Sequence, residues 1–128
     1  MHRIRLRRPW TRTVGDQPPT EKIDVPDADP ATVQAGTSVC YRRAFNRPTG
    51  LTPDTTLWLS IGIPTGDSLR VSLNGHTIQA LTAIQTAQPI QLDLTAKLLG
   101  SNELVIELES EQAALCGLTA DVALLIED

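Results

Sequence analysis

Aromatic side chains are scarce in this chain: Trp10, Tyr41, Phe45 and Trp58 are its four rings in 128 residues. Stacking platforms for sugars, single-stranded nucleic acid or flat ligands are correspondingly few. Cysteine and histidine are rarer still. Cys40, Cys116, His2 and His76 lie far apart in sequence and give no zinc-ligand spacing. The two thiols read first as small buried hydrophobes of a reducing compartment, and a disulfide between them is the minority reading.

No apolar run approaches the ~18 residues of a membrane-spanning helix, so no membrane role is expected. The basic start, Met1 to Trp10, has no apolar stretch after it and does not resemble a secretory signal, which points to the cytoplasm. Basic residues are nearly absent after Arg47. Residues 48–128 carry Arg70 and Lys97 against ten acidic residues, whereas residues 1–47 carry nine basic against five. In a small sandwich this asymmetry reads as one basic edge and one acidic edge, and nucleic acid is disfavoured as a partner.

What the chain does have is short alternating segments. Arg3-Ile4-Arg5-Leu6-Arg7 alternates charge with aliphatics, the period of a strand with one buried face, and Pro9 reads as its end or as the mark of an edge strand. Residues 13–36, dense in Pro and Asp, are expected to be irregular, with one short strand near Lys22 to Val25. Ser38 to Asn46, Thr56 to Ile63, Leu69 to Leu73, His76 to Ala80, Pro89 to Leu94, Asn102 to Glu109 and Ala120 to Ile126 all alternate. Asn74-Gly75 marks a tight hairpin. Thr95 to Leu99, with Gly100 as a left-handed terminator, and Glu111 to Cys116 are the two places where a helical turn is expected. The whole reads as one all-β domain over residues 1–128, an antiparallel β-sandwich of eight or nine strands.

Four features in order resemble the galactose-binding-like jelly-roll domains, in particular the N-terminal sugar-binding domain of glycoside hydrolase family 2. These are Tyr41-Arg42-Arg43-Ala44-Phe45, with the aliphatic strand Leu57 to Ile61 after it; Leu69 to Leu73 ending in Asn74-Gly75; Leu92-Asp93-Leu94-Thr95 with Leu98-Leu99-Gly100; and Asn102 to Ile106. The resemblance covers roughly residues 36 to 110 and implies a jelly roll. Leu81 to Gln88 is shorter than the family's loop at this place and lacks its Gly and aromatic residues. The family's catalytic carboxylates belong to a separate barrel domain, so hydrolysis does not follow from the resemblance.

The implied role is therefore a non-catalytic binding domain with carbohydrate as its ligand class. A structural or protein-interaction module, including one that forms a homo-oligomer, is the alternative, and a small enzyme comes third. Trp58 with Arg70, Arg42 with Asn46, and Trp10 are the residues that could offer ring stacking and planar donor forks to sugar hydroxyls. Each also has a structural reading: Trp10 as a strand-end anchor, Arg42 and Arg70 as cross-strand partners of Glu107 or Glu109. Asp24, Asp27 and Asp29 could supply oxygen ligands to calcium, which many domains of this fold hold near the N-terminal strands. Turn chemistry around Pro26 and Pro30 is the preferred reading of them. No cofactor is expected.

Overall fold

Alternation sorts the side chains of each long strand onto two faces, and the structure buries one face of each, with Ser60, Ala123 and Leu125 covered on the other face of β6 and β12 as well. A computed structural model describes residues 1–84 and 87–128. These form twelve strands: β1 (His2–Arg5), β2 (Trp10–Val14), β3 (Thr20–Ile23), β4 (Ala31–Val33), β5 (Ser38–Asn46), β6 (Thr56–Ile61), β7 (Ser68–Leu73), β8 (His76–Leu81), β9 (Ile90–Asp93), β10 (Ser101–Glu109), β11 (Ala114–Cys116) and β12 (Val122–Glu127).

A six-stranded sheet has the order β3-β2-β5-β10-β7-β8, and a four-stranded sheet the order β1-β12-β6-β9. β11 and β4 form a separate pair, and every pairing between these strands is antiparallel. The core lies between the two large sheets. Tyr41, Ile106 and Val71 form one row across the six-stranded sheet, all fully buried. Leu59 and Leu124 form the matching row of the four-stranded sheet.

Three strands exceed the expectation. The N-terminal ladder does end ahead of Pro9, with β1 an edge strand of the four-stranded sheet, but the chain then crosses to form β2 in the six-stranded one. β4 and β11 are only three residues long, below the length at which alternation is legible. β3 spans Thr20–Ile23, slightly ahead of the expected Lys22 to Val25.

Neither helical turn forms among the described residues. At 95–97 the chain makes a turn in which Lys97 N–H donates to Leu94 O, at 2.9 Å. Thr95 Oγ1, expected to cap a helix, accepts from Leu57 N–H of β6 instead. Gly100 is not among the residues with positive φ, so it is no left-handed terminator. Glu111 to Cys116 ends in β11. The shortened loop at Leu81 to Gln88 contains residues 85 and 86, which lie outside the described residues.

The Asn74-Gly75 hairpin forms as expected, with φ of 53° and 83°, the paired positive values of a type I′ turn. Asn74 Oδ1 accepts from Glu103 N–H, and its Nδ2 donates to Asn102 Oδ1. The buried Asn102 side chain also holds both backbone groups of Leu99 and reaches Phe45 O. One amide thus ties the hairpin, β5 and the 94–100 turn together. Asn102→Ala leaves these groups without partners and is expected to cost about 1–3 kcal/mol, read as a lower urea midpoint with unchanged m-value.

Candidate functional site

Strand register decides which outward side chains can meet. On the six-stranded sheet, Arg70 lies opposite Glu107, which lies opposite Cys40; Arg42 lies opposite Val105 in the next row. This outward face is polar and carries no aromatic ring. Arg42 Nε is 3.5 Å from Glu103 Oε1 with both side chains more than half exposed, so the pair contributes little to stability. Arg70 sits with Glu107 and Glu109 in a shallow groove of about 200 Å³. The two carboxylates are side by side along one open strand, not across a cleft from each other. Asn46 shares the face with Arg42 but stands roughly 13 Å further along β5. Cys40 is on this face as well, its thiol pushed up by burial and then by Glu107. It and Cys116 are both free.

Trp58 is on the other outward face. Leu57, Leu59 and Ile61 of β6 point into the core, so Trp58 and Ser60 point out of the four-stranded sheet. Trp58 and Arg70 are therefore on opposite sides of the sandwich and do not form one site. The row through Trp58 reads Arg3, Leu125, Trp58, Asp93, and the adjacent row reads Arg5, Ala123, Ser60, Gln91. Arg3 and Arg5 each lie 3.7 Å from Asp121 at the edge of this face. The Thr95 hydroxyl first, and then its N–H, which donates to Asp93 Oδ1 at 2.9 Å, hold the Asp93 carboxyl below the usual range. Trp58 is half-buried, whereas Trp10, Tyr41 and Phe45 are buried. Among the described residues it is the most exposed of the four rings, ahead of Phe45 at 8%.

Trp10 is a core anchor, fully buried, with its indole N–H donating to Leu6 O at 2.7 Å and its ring edge-on to Tyr41. The three aspartates do not converge. Asp24 faces Arg8 in the open, at 3.4 Å. Asp27 is buried and has both oxygens committed: Oδ2 accepts from Tyr41 Oη (2.6 Å) and from Arg12 Nη1, and Oδ1 accepts from Asp29 N–H. A calcium ion would have to displace the guanidinium, so these residues do not fit one. Among the described residues no group of three His, Cys, Asp or Glu side chains could hold a metal.

This Arg12–Asp27–Tyr41 centre carries no pattern of its own in the sequence. Its one sign is Arg12 at an inward position of β2, two residues from Trp10. Gly117 leaves room for it, because a Cβ there would stand 2.7 Å from the Tyr41 hydroxyl. Burial, then the bond to Asp27, raises the Tyr41 phenol well above its ordinary value of 10.0. A raised native value gives stability that is complete below pH 10 and is lost as pH rises towards the native value. Urea unfolding of the native chain is expected to weaken above about pH 10. Tyr41→Phe should be less stable at neutral pH by about 1–3 kcal/mol and lack the tyrosine-dependent part of the alkaline loss.

No helix among the described residues is long and apolar enough to cross a membrane. No family model matches the sequence, and neither does any curated protein. Solved structures do match. An FMN-binding β-glucuronidase from Facaelibacterium prausnitzii superposes with a TM-score of 0.76 at 18% identity, over 98% of this chain and 22% of that one. A glycosyl hydrolase family 2 member from Bacteroides cellulosilyticus gives 0.77 at 12% identity, over 100% and 21%. The β-glucuronidase of Bifidobacterium dentium, in complex with coumarin-3-O-glucuronide, gives 0.71 at 15%, over 98% and 30%. The chain spans less than a third of each of these enzymes. Its fold, an all-β antiparallel sandwich, is that of a domain-sized piece of family 2 glycosidases, in keeping with the sugar-binding-like domain that its sequence resembles.

Proposed function

We propose that the chain is a single non-catalytic domain that binds carbohydrate on the outward face of its four-stranded sheet, with Trp58 as the stacking platform. The observation that carries this reading is the position of Trp58, the most exposed of the four rings, in a row with Asp93 and Arg3 and beside Gln91. A pyranose offers an apolar C–H face to a ring and hydroxyls at its rim. Asp93 would accept from those hydroxyls, while Gln91 and the Arg3 fork would donate to them. The outward face of the six-stranded sheet, with Arg42, Arg70 and Asn46, offers donors without a ring and is the weaker candidate.

A second reading is an interaction module. It rests on the half-buried Trp58 ring at a face edged by Arg3 and Arg5, since Ala123 and Leu125 beside it are already covered by the chain itself. A partner domain or second copy would cover Trp58 instead of a sugar.

A glycan array probed with the native chain and with Trp58→Ala separates the two. Glycan binding that falls by about tenfold or more in Trp58→Ala, with the unfolding transition retained, supports the sugar reading. An absence of glycan binding, together with a stable oligomer in sedimentation that Trp58→Ala dissociates, supports the interaction reading.

A further inference from the structure

A groove of about 500 Å³ opens at the end of the sandwich where the β7–β8 hairpin meets the 94–100 turn. Its size falls within the range of small-molecule sites. Its apolar lining comes from Leu73, Ile78 and Leu99. Ile78 reaches it through a register shift between Val71 and Ser72: Val71 pairs with Gln79 and Ser72 with Thr77, so Ile78 is the extra residue of a β-bulge. Leu99 is 59% exposed, yet its N–H and C=O are both held by the buried Asn102 amide. That side chain is therefore presented to solvent by a fixed backbone.

The polar lining is cationic or neutral. Lys97 and His76 belong to this lining, which among the described residues holds no carboxylate, unlike the grooves at Arg70 and at Asp27. Residues 48–128 hold two basic side chains in all, and one of them is here. No described ion pair engages Lys97. A fixed apolar floor with an ammonium at its edge, whose charge also reaches Asp93, is complementary to a compact apolar body carrying a negative charge.

We propose that this groove binds small organic acids, with the hydrocarbon body against Leu73, Ile78 and Leu99 and the carboxylate at Lys97 and His76. The proposal is independent of the sugar reading, since the two sites share no residue.

The test is titration of the ¹⁵N-labelled chain with 3-phenylpropionate and, separately, with its neutral amide. The acid is expected to shift the amide signals of Leu73, Ile78, Lys97 and Leu99, and to bind about tenfold more tightly than the amide. Lys97→Met should remove that difference, while Leu99→Ser should weaken both ligands alike. Both substitutions are at exposed positions, and an unchanged spectrum of the core confirms that each variant folds. Equal binding of acid and amide, shifts centred on Trp58, or no saturable shift with either ligand would overturn the proposal.

Discussion

The buried Asp27 carboxylate is the constraint on which the irregular half of the molecule depends. A Pro- and Asp-rich segment has little apolar surface with which to dock itself, and its backbone amides need partners once it is packed. Asp27 supplies the attachment. Its side chain is held by Arg12 of β2 and Tyr41 of β5, its own N–H donates to Leu118 O, and Val25 N–H beside it donates to Arg7 O. The guanidinium and carboxylate are 15% and 5% exposed, so neither can be removed without stranding the other, at about 3–5 kcal/mol. One carboxylate thereby fixes the course of the chain from β3 to β4, and with it the end of the core where Tyr41 and Trp10 pack.

Docking this segment beside the six-stranded sheet has a consequence for function. It consumes Trp10, Tyr41 and Asp27, which would otherwise be candidates for ring stacking or metal binding. What the fold leaves outward is divided between two unlike faces: Arg and Glu side chains without a stacking ring on the six-stranded sheet, and a ring among mixed polar and apolar neighbours on the four-stranded one. The same division separates Trp58 from Arg70. Recognition of a ligand with both an apolar face and hydroxyls requires the second kind of surface.

Period-2 alternation made the long strands β5, β6, β7, β10 and β12 legible, and Asn74-Gly75 made the hairpin legible, because both signals are local. The ordered motifs from Tyr41 to Ile106 were legible too, as scaffold features. Assignment of strands to sheets was not. Nothing within ten residues of Pro9 says that β1 and β2 belong to different layers, and nothing near Trp58 says which face it shares with Arg3 and Asp93. The Asp27 centre joins residues 14 and 15 positions apart through burial, which no pattern of spacing reveals. Thr95 shows a rule of local chemistry losing to tertiary context: a good helix cap that instead bonds the backbone of a neighbouring strand.

The most direct test of the account is a crystal structure of the chain with an oligosaccharide selected by its own binding. The account predicts a pyranose ring stacked on Trp58, with hydroxyls at Asp93 and Gln91. A sugar lodged instead among Arg42, Arg70 and Glu107 on the opposite sheet would contradict it.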